Sequence, residues 1–178
     1  MERDLNGRRA ARSVARSVAL YGMLVALAFI FSYVEAMVPV PLPVPGIKLG
    51  LANLVTIVGL YTVGIPGAAA VSLIRILLMG FTFGNVFSMA YSMAGGIFSL
   101  VVMAAAVKSG WFSKIGVSLT GGIFHNIGQL CAAAWVTKTL GVFAYLPVLL
   151  VAGVVAGTVI GLLGGIVVER IEGIVKNI

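Results

Sequence analysis

The stretch VPVPLPVPGIKLGLAN, residues 38–53, separates the first long apolar segment of the chain from the second. Four of the six prolines lie in it at alternate positions, which predicts an extended, polyproline-like segment rather than a helix. Lys48 lies at the mouth of the next apolar segment, and Asn53 roughly one and a half helical turns deeper. We interpret the stretch as a rigid cap outside a membrane bundle, with both side chains facing a pocket beneath it. The alternative is a solvated loop whose lysine reaches toward the membrane surface.

The composition is that of an integral membrane protein. Hydrophobic residues make up 61% of the chain and charged residues 10%, whereas soluble domains carry about 25% charged residues. The single cysteine, Cys131, excludes an intrachain disulfide framework and a cysteine-based metal site. The net charge of +7 comes mostly from basic residues outside the apolar segments. It therefore indicates membrane topology rather than nucleic-acid binding.

Six apolar segments predict an all-α protein with six transmembrane helices. They cover residues 17–34, 49–64, 67–80, 86–107, 115–136 and 146–168. At about 15 residues each, the second and third would be roughly 22 Å long, shorter than a hydrocarbon core of about 30 Å. They are either two short spans, which we prefer, or a re-entrant pair.

The distribution of lysine and arginine predicts that both termini are cytoplasmic. Under this topology only Lys48 and Lys138 lie in outer loops, and Arg75 lies within the third span. The remaining basic residues are on the inner side: Arg3, Arg8, Arg9, Arg12, Arg16, Lys108, Lys114, Arg170 and Lys176. We divide the chain into a basic cytoplasmic segment (residues 1–16), a membrane domain (17–168) and a cytoplasmic tail (169–178).

Several polar side chains fall in or beside the spans, where hydrocarbon should exclude them. An arginine there costs at least about 2.5 kcal/mol unless it is paired or hydrated, and His125 and Gln129 share a helical face because they are four residues apart. We predict a pocket for an anionic or electron-rich ligand, and interhelical hydrogen bonding is the alternative. The candidate ligand-binding residues are Lys48, Asn53, Arg75, Asn85, His125, Asn126 and Gln129.

Two sets of small residues are spaced for close helix contacts. In the first span they are Ala15, Ala19, Gly22 and Ala26. This stripe either packs inside the chain or docks another membrane protein. In the sixth span Gly153, Gly157 and Gly161 repeat the GxxxG pattern, which predicts a close-packing face for an internal or an external contact.

Several chemistries are excluded by residue type. Asp4 is the only aspartate, so no aspartate-rich motif can hold Mg²⁺ and a diphosphate. No P-loop pattern occurs, and His125 is the only histidine, which excludes a histidine pair for a metal. We therefore expect that the chain is not an enzyme by itself.

Four motifs carry a resemblance to a known family. In order they are PGIKLGLAN (45–53), SLIRILLMG (72–80), YSMAGG (91–96) and FHNIGQL (124–130). They resemble the bacterial heptaprenyl diphosphate synthase component I family, also called the Gx transporter family, over most of the chain. That family in turn resembles the substrate-binding S components of energy-coupling factor (ECF) transporters.

The resemblance implies a six-helix bundle in the bacterial cytoplasmic membrane, with a ligand pocket near the outer face. It implies capping by the loop after the first helix, and toppling of the bundle to deliver the ligand. Lys48 and Arg75 would neutralise the ligand, and the amide and imidazole groups would orient it. The small-residue stripe of the first helix would contact the ECF coupling subunit, which works with separate ATPases.

Two other functions remain open at this point. Some relatives resemble membrane components of flavin-based electron export, which implies a redox subunit with a non-covalent flavin or quinone. The motif for covalent flavin attachment, of the S-G-A-T type, is absent. The family description instead implies a non-catalytic accessory of heptaprenyl diphosphate synthesis.

Overall fold

The computed structural model describes residues 2–37 and 50–176, and these residues form six α-helices. The helices are α1 (Glu2–Met37), α2 (Leu51–Thr62), α3 (Gly64–Thr82), α4 (Val86–Ser109), α5 (Lys114–Thr137) and α6 (Leu146–Lys176). A 3-10 helix, Leu140–Tyr145, leads into α6. The predicted proline-rich cap and Lys48 lie outside the described residues.

Four segments are long and apolar enough to cross a membrane: Val14–Met37, Gly64–Thr82, Val86–Ser109 and Leu140–Ile171. The chain is therefore an all-helical, multi-pass membrane protein over the part that the structure describes. Six spans and cytoplasmic termini stay predictions. The helix α5 is long enough, with 24 residues, but it is not among these four segments. Three polar side chains in its middle make it less apolar. The helices α1 and α6 continue without a break across residues 16 and 168, so no helix end marks the boundaries of the three predicted segments. The division into three segments stays a prediction.

The third helix is longer than the sequence predicted. It begins at Gly64 rather than at residue 67, because Pro66 lies in its first turn, where a missing N–H removes no helical hydrogen bond. With 19 residues, α3 is about 28 Å long, close to the thickness of a hydrocarbon core.

The short helix α2 lies at the centre of the bundle. It contacts α1, α3 and α6, and also meets α5. Its buried residues are Ala52, Val55, Thr56, Ile57, Val58, Gly59 and Leu60. With 12 residues it is only about 18 Å long. This length is tolerated because most of its surface is covered by protein rather than by lipid.

The helices α4, α5 and α6 pack side by side, with α5 in the middle. A Cβ added to Gly157 would lie 2.7 Å from the Cα of Leu119, and one added to Gly161 would lie 2.8 Å from the Cα of Ile115. These distances are shorter than any real Cβ contact, so the two backbones touch. The predicted close-packing face of α6 is confirmed, and it is an internal contact with α5.

We expect Gly157→Ala to lower the free energy of unfolding by about 1–3 kcal/mol, because the new methyl group forces the α5 and α6 backbones apart. Gly165→Ala is the matched control in α6, since its Cβ would have only the Cδ of Lys114 near it, at 4.0 Å. Thermal unfolding in detergent measures both variants. If both variants lost the same free energy of unfolding, the close backbone contact at Gly157 would not be the reason for glycine at that position.

Candidate functional site

The charge of Arg75 in α3 is met by side chains of α1. Its Nη1 donates a hydrogen bond to the Oγ of Ser32 at 3.2 Å, and that hydroxyl donates to the carbonyl of Ala28 at 2.8 Å. Glu35 follows Ser32 by three residues, on the same side of α1, and its carboxylate interacts electrostatically with the guanidinium. Arg75 is thus compensated within the bundle.

Glu35 is a site residue that was missing from the sequence candidates. It is 9% exposed and accepts a hydrogen bond from the backbone N–H of Gly50. Gly50 precedes α2 with φ at 78°, a left-handed conformation that favours glycine. Glu35 therefore holds the start of α2 against the end of α1. The signal was available, because Glu35 is the only acidic residue between Asp4 and Glu169.

Polar side chains from several helices surround one small cavity, which we call the polar cavity. Five predicted residues line it: Asn53, Arg75, His125, Asn126 and Gln129. Three further polar residues line it as well: Glu35, Ser92 and Ser118. Most of the predicted site residues are therefore brought together, and His125 and Gln129 share a face as expected.

The polar cavity is narrow. Its volume is about 40 Å³, room for one or two water molecules. Pockets for small organic ligands are usually about 300–1,000 Å³. The polar cavity in this structure is too small for such a ligand, which would require the surrounding helices to separate.

Two predicted residues make structural hydrogen bonds. The Nδ2 of Asn126 donates to the carbonyl of Leu149 at 2.7 Å, which links α5 to α6 beside the polar cavity. Asn85 is exposed and does not line the cavity. Its side chain accepts from the N–H of Ser88 at 2.9 Å, and its own N–H donates to the Ser88 hydroxyl at 3.1 Å. This capping box defines the start of α4.

A second, larger cavity lies between the ends of α1 and α3 and the first turns of α4. Its volume is about 170 Å³, and it shares Glu35, Arg75 and Ser92 with the polar cavity. Its apolar lining includes Ile76, Met79, Phe83 and Met89. We call it the α1–α3–α4 cavity. Nothing in the sequence pattern indicated it, because the cavity depends on how three helices pack, and its apolar lining residues are ordinary for a membrane helix.

The residues that the structure describes include no group of three histidine, cysteine or acidic side chains placed to bind a metal ion. The polar groups around the polar cavity are instead amides, hydroxyls, one imidazole, one guanidinium and one carboxylate. Such a set suits hydrogen bonding to an organic molecule.

The family model of heptaprenyl diphosphate synthase component I matches residues 24–167. The chain belongs to this family. The match includes every residue that lines the two cavities, and it confirms the family resemblance found from the four motifs. No curated protein and no solved structure matches the chain.

The small-residue stripe predicted on α1 is exposed. Ala15, Ala19, Gly22 and Ala26 are all exposed on α1, and a Cβ added to Gly22 would meet no atom within 4 Å. Contacts within the described chain therefore do not require glycine there. Two residues of the stripe, Gly22 and Ala26, line an apolar groove of about 520 Å³ between α1 and α3.

The coupling of Glu35 and Arg75 is measurable by a double-mutant cycle with Glu35→Gln and Arg75→Gln. Each single change leaves a buried charge without its compensation, so we expect the double variant to be more stable than additivity predicts, by about 0.5–3 kcal/mol. Thermal or denaturant unfolding in detergent gives the four free energies.

The control cycle uses Lys114→Gln and Glu169→Gln, an ion pair with an N–O distance of 3.6 Å whose glutamate is 72% exposed. Exposed pairs are usually worth less than about 1 kcal/mol. Additive effects of Glu35→Gln and Arg75→Gln would contradict an energetic coupling between these charges.

Proposed function

We propose that this family member is the substrate-binding membrane subunit of an ECF-type transporter. The observation that carries the proposal is the convergence of polar side chains on one cavity in an otherwise apolar bundle. Asn53 comes from α2, Arg75 from α3, and His125 and Gln129 from α5. Polar side chains gathered on one cavity can hydrogen-bond to a bound organic molecule, which the apolar remainder of the bundle could not do.

The lining residues offer hydrogen-bond donors, hydrogen-bond acceptors and a charge to a small organic molecule. The amides of Asn53 and Gln129 offer both donors and acceptors, and the imidazole of His125 offers one of each when neutral. Arg75 contributes a permanent charge, which Glu35 offsets. Under the predicted topology, the ends of α1 and α3 and the start of α2 face outward. The ligand would therefore be taken up from the outer side.

Ligand binding in this proposal widens the polar cavity. Its volume of about 40 Å³ is far below that of a vitamin-sized ligand. The hydrogen bond from Gly50 to Glu35 lies at the edge of the cavity, where the chain enters α2. We expect this contact to break or shift when the cavity opens.

Partners are part of the proposal, because the sequence has no P-loop with which to hydrolyse ATP. A helix of the ECF coupling subunit would dock on the stripe Ala15, Ala19, Gly22 and Ala26. The exposure of these residues and the open surface at Gly22 support this placement. Membrane lipid would cover the remaining apolar surface, and ATPases would drive the cycle through the coupling subunit.

Native mass spectrometry of the detergent-purified protein, with release and identification of bound small molecules, tests the ligand proposal. We expect one bound organic molecule, whose re-addition raises the unfolding temperature. At 100 times Kd a ligand stabilises the folded state by about 2.7 kcal/mol. A flavin or quinone among the released molecules would instead favour an electron-transfer subunit.

Gln129→Leu should weaken binding of the released molecule by about tenfold, since one lost hydrogen bond is worth about 1.4 kcal/mol. Thr137→Val is the control in the same helix, because its exposed hydroxyl bonds only to the carbonyl of Ala133 among the described residues. Empty protein, with no thermal shift across a panel of vitamins, would count against the transporter proposal.

The docking proposal predicts that Ala26→Leu reduces co-purification with a co-expressed coupling subunit and its ATPases from the same bacterium. The larger side chain prevents close helix approach on the stripe. Ala105→Leu is the matched control, since Ala105 is also exposed but lies on α4. Full complex recovery with Ala26→Leu would show that the stripe is not the docking surface.

A non-catalytic role in heptaprenyl diphosphate synthesis is the second candidate, and the family description favours it. It describes one component of a synthase, which implies partner subunits. In this case the protein would raise the activity of a separately expressed prenyl synthase chain, and a prenyl diphosphate would shift its unfolding temperature. A coupling subunit and ATPases would then have no effect.

A further inference from the structure

We infer that the α1–α3–α4 cavity binds a single ring, aromatic or of similar size, whose edge carries an uncharged carbonyl group facing Arg75. This inference rests on the proposed function, because it assigns the ring of the transported ligand to a cavity beside the polar one. It also narrows the ligand class, from anionic or aromatic molecules to neutral ones.

The volume of the cavity sets the size of the occupant. At about 170 Å³ it is slightly larger than an engineered protein cavity of about 150 Å³ that binds benzene. It therefore accepts one six-membered ring without rearrangement. The polar cavity, at about 40 Å³, accepts no ring in this form.

The lining of the α1–α3–α4 cavity is suited to a flat apolar ring. Met79 and Met89 supply flexible thioethers, which contact ring edges favourably, and Phe83, whose ring also packs against Tyr33 at a centroid distance of 4.7 Å, adds an aromatic side chain. Gly80 leaves room for the side chain of Met89, since a Cβ at position 80 would lie 2.5 Å from the Sδ of Met89. The methionine side chain occupies the space that a larger residue at position 80 would take.

The boundary with the polar cavity provides a hydrogen-bond donor. The Nε of Arg75 is buried and has no hydrogen-bond partner among the described residues, whereas Nη1 is already bonded to Ser32. A buried N–H without a partner costs about 1–3 kcal/mol. A carbonyl oxygen at the edge of a bound ring would remove this cost, because it accepts the Nε hydrogen.

Charge balance favours a neutral carbonyl over a carboxylate. Among the described residues that line the two cavities, Arg75 is the only cation and Glu35 the only anion. Glu35 lies close enough to interact electrostatically with the guanidinium. An anion placed at Arg75 would therefore also meet the repulsion of Glu35 in a medium of low dielectric.

Fluorine NMR of the full chain in lipid nanodiscs tests the inference with three probes of similar size. They are 4-fluorobenzamide, 4-fluorobenzoate and 4-fluorotoluene, titrated against protein-loaded and empty nanodiscs. We expect saturable binding of the benzamide. The benzoate, which is an anion, and the toluene, which lacks an acceptor, should each bind on the order of tenfold more weakly.

Two variants place the probe in the cavity. Ala36→Phe adds a ring at a lining position and should abolish benzamide binding, while Ala90→Phe, at an exposed position of α4 that lines neither cavity, should preserve it. Arg75→Lys keeps the positive charge but removes the Nε donor, and should weaken benzamide binding by about tenfold. Thermal unfolding identifies any variant that fails to fold.

Two results would overturn the inference. Unchanged benzamide binding to folded Ala36→Phe would show that the ring lies elsewhere. Benzoate or toluene binding as tightly as benzamide would show that a neutral acceptor is not what the site selects.

Failure of this inference is distinguishable from failure of the transporter proposal. A natural ligand that depends on Gln129 but not on Ala36 would leave the transporter proposal standing and remove the ring site. Benzamide binding in the cavity, together with no natural ligand and no complex with a coupling subunit, would leave the ring site standing and remove the transporter proposal.

Discussion

The structure depends on how one guanidinium is accommodated inside an apolar bundle. An arginine at mid-membrane costs at least about 2.5 kcal/mol when it is not compensated. Here the hydroxyl of Ser32 and the carboxylate of Glu35, both on α1, meet the charge of Arg75 on α3. Because Glu35 also accepts from Gly50, the same cluster positions the start of α2. Three helices are thus held together at the boundary between the two cavities.

Glycine contacts explain why the two cavities differ in size. The helices α4, α5 and α6 approach so closely that a Cβ on Gly128 would lie 2.8 Å from the carbonyl oxygen of Ala94. One on Gly122 would lie 2.6 Å from the carbonyl oxygen of Gly153. Such contacts leave only a narrow space among the polar side chains of α5. The α1–α3–α4 cavity lies instead between helices that pack less closely on one another, and it is larger.

This arrangement changes what the polar residues imply. In the sequence, Arg75 is a membrane cation that attracts an anionic ligand. In the structure the carboxylate of Glu35 interacts electrostatically with its guanidinium, and its buried Nε is a hydrogen-bond donor without a partner among the described residues. A hydrogen-bond acceptor without charge meets that need at lower electrostatic cost than an anion does.

The sequence by itself determined the class, the family and most of the helices. Apolar segments of sufficient length must be helical in a membrane, since each backbone N–H needs a partner within its own segment. The glycine spacing of α6 predicted a close contact, and residue type with spacing predicted that His125 and Gln129 share a face. Helix ends were less certain, because Pro66 is compatible both with a turn and with the first turn of α3.

Only the tertiary structure decided which residues meet across helices. Glu35 is 40 residues from Arg75 in the chain, and nothing in the local pattern of α1 shows which side of that helix faces α3. Asn85 and Asn53 are both asparagines near the start of a helix. Asn85 nevertheless caps α4, while Asn53 lines the polar cavity. The α1–α3–α4 cavity depends on side-chain packing between three helices. Spacing along one helix reports its own faces, whereas a cavity depends on the rotation and separation of several helices at once.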